Sequence, residues 1–240
     1  MKIIRVKNYK EMSKEAAKLY VEEINKKPDM ILGLATGSTP LGLYSELIDN
    51  CKEGVVSFKD IRSFNLDEYY PIEPTNDQSY RYFMNENLFS KVDIDISKTD
   101  VPNGKTDNAE VECVSYDKKI EEAGGIDIQL LGVGINGHIG FNEPEDSLYV
   151  GTHRTGLDES TIKANARFFE SEEAVPKEAL TMGMGNIMKA KKVVLLISGK
   201  AKQDAFKKLT SGRITTECPV TILALHNDCV VFVDEEAAGE

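Results

Sequence analysis

LLGVGINGHIGFNEP, residues 130–144, is the stretch from which the fold of this chain can be worked out. Its apolar run breaks at Gly132, as a buried strand does at its end. The loop that follows brings Asn136, His138 and Glu143 within eight residues of one another. A tight turn around a core histidine would explain the glycines but not this group of polar side chains, so the stretch indicates chemistry at the end of a strand.

Gly132, Gly134 and Gly137 also spell G-x-G-x-x-G, the pattern of dinucleotide-binding sites. That pattern needs a helix that begins at the third glycine and points its N-terminus at the pyrophosphate. Here Gly140 and Pro144 would end such a helix within two turns. The sequence therefore argues against a nucleotide site.

Short apolar segments alternate with segments of helical spacing on both sides of this stretch. The predicted strands are Met30–Ala35, Ile61–Leu66, Ile126–Val133, Val193–Ile197, Thr221–Leu225 and Val230–Val233. The predicted helices are Tyr9–Lys26, Leu41–Asn50, Gln78–Leu88, Ala109–Ala123 and Ala201–Leu209. This alternation predicts an α/β fold with a doubly wound, mostly parallel sheet and helices on both faces. We expect a single domain over residues 1–240, with a more polar and less regular segment at about 148–182 as a lid.

The charge balance narrows the choice of partners. The chain has 240 residues, with 29 basic against 40 acidic side chains and a net charge of −11. Such a charge repels phosphate backbones and anionic membranes, so we expect no nucleic acid and no membrane partner. No segment has the length of a signal-peptide core or of a membrane span, which needs about 18 apolar residues, so we expect a cytoplasmic protein.

Cysteine and histidine spacing argues against a metal or disulfide framework. The four cysteines are widely scattered and predict reduced, mostly buried thiols: Cys51, Cys113, Cys218 and Cys229. The three histidines include no close pair, so we expect no metal. No G-x-S-x-G nucleophile elbow follows a strand, which argues against a serine hydrolase.

Ligands of open α/β sheets bind beyond the carboxyl ends of the strands, and three further predicted strands end in polar loops. In TGSTP, residues 36–40, a glycine and two hydroxyls precede a helix that begins near Pro40, which predicts an anion site with Thr39 as helix cap. In DEYY, residues 67–70, one acid is a candidate general base and the other is expected to cap the next turn. In SGKAK, residues 198–202, Lys200 or Lys202 is a candidate for binding phosphate.

Together these motifs resemble, in the same order, the signatures of the glucosamine-6-phosphate deaminase/isomerase family. The matching segments are LATGSTP, SFNLDEYY, LLGVGINGHIGFNEP, ANARFF and SGKAK, and the similarity runs from Ile31 to about Val233. The resemblance implies a Rossmann-like sheet with a mobile lid. It also implies conversion of D-glucosamine 6-phosphate and water to D-fructose 6-phosphate and ammonia in amino-sugar catabolism, with no cofactor.

The resemblance implies a role for each matching residue. Asp67 resembles the base that removes the C2 proton, and His138 the group that opens the sugar ring, with Glu143 and Asn136 as its partners. The matching phosphate-binding residues are Thr36, Gly37, Ser38, Thr39, Arg167 and Lys202. Some family members have Asp at the position of Asn136, whereas a neutral amide orients His138 but cannot stabilise its imidazolium by charge.

Other functions remain open on sequence alone. A galactosamine-6-phosphate deaminase/isomerase would use the same groups, and a 6-phosphogluconolactonase would share the fold but needs no base aimed at C2. A non-catalytic sugar-phosphate sensor would be expected to carry a basic DNA-binding segment, which this chain lacks. Allosteric relatives carry Ser, Arg, Lys and Thr where this chain has Asp146, His153, Thr155 and Gly156. We therefore expect a small-molecule sugar phosphate as the only partner of a monomer or weak homo-oligomer.

Overall fold

The computed structural model describes residues 1–158, 162 and 175–239. Within them, seven strands form a parallel sheet in the order β1-β10-β9-β6-β2-β3-β5, and three form an antiparallel sheet in the order β4-β8-β7. The strands are β1 (Lys2–Val6), β2 (Ile31–Leu34), β3 (Arg62–Asn65), β4 (Asp67–Tyr70), β5 (Thr99–Asp100), β6 (Ile128–Leu131), β7 (His153–Gly156), β8 (Glu178–Thr181), β9 (Lys192–Ile197) and β10 (Cys229–Asp234).

Helices connect the strands in the described part of the chain. They are α1 (Tyr9–Lys26), α2 (Leu41–Lys52), α3 (Tyr80–Asn87), α4 (Ala109–Glu122), α5 (Met184–Lys189), α6 (Gln203–Leu209) and α7 (Glu235–Ala238). Short 3₁₀ helices are Phe89–Lys91, Ile96–Lys98, Lys200–Lys202 and Pro219–Leu225. The predicted fold class, a doubly wound and mostly parallel α/β sheet, is confirmed.

The strand order reverses between β2 and β6, which are neighbours in the middle of the sheet. From β2 the chain builds outward through β3 to β5, and from β6 it builds the other way through β9 to β10. The connections on either side of such a switch point leave opposite faces of the sheet, which opens a crevice beyond the carboxyl ends of the strands. The topology therefore fixes where a ligand site can form.

Packing of α1 explains the helical spacing of its apolar residues. Met12, Ala16 and Ile24 are buried against the sheet and Leu19 is partly buried, while Tyr20 adds a fully buried ring to the same face. The N-terminus of α1 is capped by Asn8, whose side chain accepts the Glu11 N–H at 3.0 Å. The four cysteines are free thiols, three of them buried, as the sequence predicted.

The predicted strand Thr221–Leu225 is wrong, because this segment belongs to the 3₁₀ helix Pro219–Leu225. Pro219 has no N–H for a sheet ladder, and the Thr221 hydroxyl donates to the Cys218 carbonyl at 2.8 Å, so local hydrogen bonds take the place of strand pairing. The sequence also failed to predict β1, an edge strand in which Val6 is buried and Lys2, Ile3 and Arg5 are exposed.

DEYY was predicted as a loop and is instead the strand β4. It pairs with β8 in the second sheet, with Asp67 opposite Thr181. The described ends of the predicted lid segment, β7 and β8, are therefore strands that extend the sheet begun by Asp67.

Candidate active site

A cavity of about 660 Å³ lies beyond the carboxyl ends of β2, β6 and β9. All four of the polar segments predicted from sequence line it, through residues 36–39, Asp67, Asn136 with His138, and Lys202. Glu143 lies behind His138, and Arg167 falls outside the described residues. The parallel sheet thus brings together side chains that are separated by up to 166 positions in sequence, from Thr36 to Lys202.

Asp67 opens β4 and faces the cavity from a buried position, with 6% of its surface exposed. Burial, followed by the neighbouring charge of Glu68, raises the pKa of Asp67 to about 8. A carboxylate with such a pKa accepts a proton readily near neutral pH, whereas an ordinary exposed aspartate is too weak a base for this. The position gives Asp67 the properties of a general base.

Glu68 serves the other role predicted for this acidic pair. Its carboxylate accepts the N–H groups of Tyr80 at 2.8 Å and Arg81 at 2.9 Å, at the first turn of α3. Burial raises the pKa of Glu68 to about 7, although these hydrogen bonds and one from Tyr69 act in the opposite direction. Because adjacent strand residues point to opposite faces, Glu68 stabilises the helix while Asp67 faces the cavity.

The loop after β6 holds His138 between two partners. His138 Nδ1 lies 3.0 Å from Glu143 Oε2, within ion-pair distance but without the alignment of a hydrogen bond. Asn136 Nδ2 donates to Glu143 Oε2 at 2.8 Å, and Asn136 Oδ1 accepts the His138 N–H at 3.2 Å. The carboxylate is buried, so its charge acts on the imidazole with little solvent screening. The loop therefore orients a histidine that can carry a proton.

Gly134 has a packing role in this loop. A Cβ atom there would lie 2.3 Å from His138 Cε1 and Nδ1, so any side chain would displace the ring. No helix begins at Gly137, and residues 137–158 contain none. Gly134 of the G-x-G-x-x-G spelling thus leaves the space needed by the histidine, whereas a Cβ at Gly137 would meet Cys218, and the helix that a dinucleotide loop requires does not follow.

The loop at residues 36–39 follows β2 and leads into α2. Thr39 was predicted to cap this helix, and that prediction is wrong: Pro40 occupies the cap position and no side chain of the loop caps the helix. Instead the Tyr9 hydroxyl accepts the Gly42 N–H at 2.7 Å and lies 3.1 Å and 3.0 Å from the carbonyls of Ser38 and Thr39. A hydroxyl from α1 therefore holds both the helix start and the loop.

Lys202 ends the 3₁₀ turn that follows β9 and lines the cavity together with Ser198 and Ala201. Lys200 is not among the lining residues. The cation lines the same cavity as the loop that leads into the N-terminus of α2, and a helix N-terminus carries partial positive charge. These groups have the chemistry of a phosphate site on an otherwise acidic protein.

Tyr80 is a lining residue that sequence reasoning missed. Its ring stacks on Phe141 with centroids 6.0 Å apart and 8° between planes, and burial raises its pKa well above the usual value. An aromatic residue at the start of a helix gives no local signal that it faces a ligand cavity.

In the described residues, no group of three or more His, Cys, Asp or Glu side chains is arranged to hold a metal ion, and no helix there is long and apolar enough to cross a membrane.

One cavity at the strand ends of this doubly wound sheet is surrounded by a buried acid, a histidine–glutamate pair, a loop with hydroxyl groups and a turn with a lysine. These features define an α/β enzyme for proton-transfer chemistry on a small substrate. Comparison with known proteins then gives the family. Residues 7–232 match the family model of glucosamine-6-phosphate isomerases and 6-phosphogluconolactonase. The chain belongs to this family.

Individual relatives agree over nearly the whole length. A glucosamine-6-phosphate deaminase of Clostridium perfringens is 56% identical over 99% of this chain and 98% of its own length, and one from Thermoanaerobacter sp. is 52% identical over 100% and 94%. The solved structure of a monomeric glucosamine-6-phosphate deaminase superposes with a TM-score of 0.97 at 45% identity, covering 100% of this chain and 99% of that one. A 6-phosphogluconolactonase from Thermotoga maritima, at 22% identity and a TM-score of 0.76 over 97% of this chain and 99% of its own, shares the fold.

Proposed function

We propose that this protein converts D-glucosamine 6-phosphate and water to D-fructose 6-phosphate and ammonia. The observation that carries the proposal is the pairing of two proton-transfer groups on one cavity: the buried Asp67 and the His138–Glu143 pair. Hydrolysis of a lactone needs no base aimed at a C–H bond, so the buried acid favours an isomerase over a lactonase. The deaminase names of relatives 50–56% identical support the same choice.

The first step is ring opening. His138 moves a proton from the anomeric hydroxyl to the ring oxygen, which breaks the C1–O5 bond and gives the open-chain aldehyde. Glu143 supports this step because its charge stabilises the imidazolium that forms during the transfer. Asn136 contributes by holding Glu143 in place through its amide, and adds no charge of its own.

The second step is proton transfer between carbons. Asp67 removes the C2 proton and the electron pair forms a C1–C2 double bond, while the carbonyl oxygen gains the proton that the ammonium group gives up. The resulting enolamine takes the proton back from Asp67 at C1, and the nitrogen lone pair forms an iminium at C2. Water adds at C2 and ammonia leaves, which yields the ketose. The ammonium group on C2 lies next to the base in this scheme and favours its ionised form, so substrate binding lowers a proton affinity that burial had raised.

The phosphate group is proposed to bind at the opposite end of the cavity. The backbone and hydroxyls of Thr36, Gly37, Ser38 and Thr39 and the Lys202 ammonium are its ligands, with Arg167 as a further cation on the grounds of the family motif alone. Residues 148–182 are proposed to form a lid within a single domain, held at its described ends by β7 and β8. We place the enzyme in the cytoplasm, in amino-sugar catabolism.

A monomer is proposed as the working form. The relative that superposes most fully among those described above is a monomeric deaminase. The exposed Asp146 would also repel an anionic effector at the position where allosteric relatives bind one. Light scattering at micromolar protein concentration measures the molar mass, and the mass of a single chain is expected.

Assay of three substrates tests the proposed function. Purified protein is given glucosamine 6-phosphate, galactosamine 6-phosphate and 6-phosphogluconolactone in turn, and both ammonia and ketose phosphate are measured. Equal amounts of ammonia and fructose 6-phosphate are expected from the first substrate. Ammonia from galactosamine 6-phosphate alone would show that the substrate is the galacto epimer and not glucosamine 6-phosphate. Acid release from the lactone without ammonia from either amino sugar would refute the deaminase proposal.

A further inference from the structure

Asp234, the last residue of β10, lies beneath the turn that carries Lys202. Strand β10 runs parallel to β9 with Val233 opposite Ile197, so the next residues, Asp234 and Ser198, come side by side where both strands end. Asp234 is 3% exposed and is not among the residues that line the cavity. The carboxylate therefore acts on the site only through its neighbours.

The Asp234 carboxylate joins two segments of the chain. On one side it accepts the hydroxyl of Ser198 and the N–H of Gly199, which lies 3.1 Å from Oδ1 and 3.2 Å from Oδ2. On the other side Oδ1 accepts the Ala237 N–H at 2.9 Å and caps α7. Charge-assisted hydrogen bonds to a buried carboxylate are stronger than bonds between neutral groups, so this junction is rigid.

The conformation of this turn depends on its hydrogen bonds to Asp234. Gly199 has φ of +89°, in the region that residues with a side chain avoid, and glycine itself has little intrinsic preference among backbone conformations. The backbone of Lys202 is hydrogen-bonded to the same turn, since its N–H donates to the Gly199 carbonyl at 3.0 Å. Asp234 therefore binds Gly199, and Gly199 in turn binds the backbone of Lys202.

We propose that Asp234 is a positioning residue for phosphate binding, which fixes the Ser198–Gly199 turn so that Lys202 meets the phosphate group. The inference rests on the proposed function for the identity of the substrate. A simple charge argument predicts the opposite effect, because a carboxylate near an anion site repels the anion and its removal would tighten binding. The sign of the change therefore distinguishes positioning from long-range electrostatics.

Asp234→Asn tests the proposal, since the amide keeps the shape but replaces one acceptor oxygen with a donor. Inhibition by inorganic phosphate is expected to weaken about tenfold, and KM for glucosamine 6-phosphate to rise by a similar factor, with kcat changed less than about threefold. Asp228→Asn is the matched control, because it removes the same charge at the opposite end of the β9–β10 pair, where Asp228 pairs with Lys192 at 2.6 Å. It is expected to leave both constants unchanged.

Two further measurements separate positioning from a general loss of structure. Ser198→Ala keeps the charge and removes one bond to the carboxylate, so a smaller rise in KM is expected in the same direction. In a Lys202→Ala background, Asp234→Asn is expected to change phosphate binding less than about twofold, because the group through which it acts is gone. A folded Asp234→Asn variant with unchanged or tighter phosphate binding, or an effect fully additive with Lys202→Ala, would overturn the proposal.

The outcome stays separate from that of the proposed function. Calorimetric titration with inorganic phosphate compares the parent chain and Asp234→Asn without any turnover. Absence of ammonia release would refute the deaminase activity, while a tenfold difference in phosphate affinity between the two proteins would still support the role of Asp234. A loss of thermal stability in Asp234→Asn with phosphate affinity unchanged would assign Asp234 to structure alone and overturn the inference.

Discussion

Replacing Asp67 with asparagine is expected to stabilise the protein at high pH while it removes activity. Burial raises the pKa of Asp67 from 3.8 to about 8 in the folded chain. Between those two values the folded state keeps a proton that the unfolded state has lost, so the stability that Asp67 contributes is complete below pH 3.8 and decreases as the pH rises towards 8. Asparagine carries no proton to lose, so the variant lacks this decrease.

The magnitude follows from the same two pKa values. Stability falls by about 1.4 kcal/mol for each pH unit while the folded group is protonated and the unfolded group is not. Over pH 6 to 8 the fall is about 2 kcal/mol, since the folded group is already half ionised at pH 8. Lower pH is unsuitable because the isoelectric point is about 4.9. The free energy of unfolding of the variant minus that of the parent is therefore expected to grow by about 2 kcal/mol from pH 6 to pH 8.

Urea unfolding followed by circular dichroism at pH 6, 7 and 8 measures this difference. Taking the change with pH cancels any constant effect of the amide. Glu68 titrates in both proteins, and only its coupling to Asp67, the smaller cause of the raised pKa, differs between them. Asp228→Asn is the control, because that side chain is half exposed and paired with Lys192, and its difference is expected to be flat. A flat difference for Asp67→Asn would refute the reasoning that burial raises its pKa.

The same Asp67→Asn protein is expected to lose at least about 10²-fold in turnover, the usual contribution of a positioned base, together with solvent-deuterium exchange at C2. A variant that is more stable and yet inactive cannot owe its inactivity to unfolding. Normal exchange at C2 would show that another group is the base.

Four other expectations follow from the site. His138→Gln is expected to reduce turnover of the cyclic substrate more than that of an open-chain analogue, and equal losses would contradict a role in ring opening. Lys202→Ala and Arg167→Ala are expected to raise KM with little change in kcat, because contacts remote from the reacting carbons act on ground and transition state alike; an unchanged KM in both would refute the phosphate assignment. Tyr9→Phe is expected to raise KM about three- to tenfold, since the hydroxyl that contacts the carbonyls of the phosphate loop is lost. Tyr82→Phe on α3 is the control, and an unchanged KM in both variants would show that the loop keeps its conformation without the Tyr9 hydroxyl. Rates are expected to rise hyperbolically with substrate and to be unaffected by N-acetylglucosamine 6-phosphate; a sigmoidal curve that this compound makes hyperbolic would disprove it.

Local pattern in the sequence determined the fold class and most of the candidate site. Alternation of apolar runs with helical spacing is a property of neighbouring residues, so it predicted α1 from Tyr9 to Lys26 and the central strands of the sheet. Asn136, His138 and Glu143 lie within eight residues, and their contacts at 2.8 to 3.2 Å form inside one loop. Parallel strands end at the same edge of a sheet, so the convergence of the polar loops also followed from sequence.

Tertiary structure decided what depends on partners distant in sequence. Residue pattern left the choice between Asp67 and Glu68 open, and only the family resemblance pointed to Asp67. In the structure the start of α3 lies within 2.9 Å of the glutamate, which leaves the aspartate to face the cavity. The cap of α2 comes from Tyr9, 33 positions before Gly42, and not from Thr39 beside it. The turn of Lys202 is held by Asp234, whose bonds to Ser198 span 36 positions. The spacing of apolar residues shows which face of a single helix or strand is buried, and it carries no information about that face's partners. The roles described here depend on which hydrogen-bond donor the fold brings within about 3 Å of which acceptor.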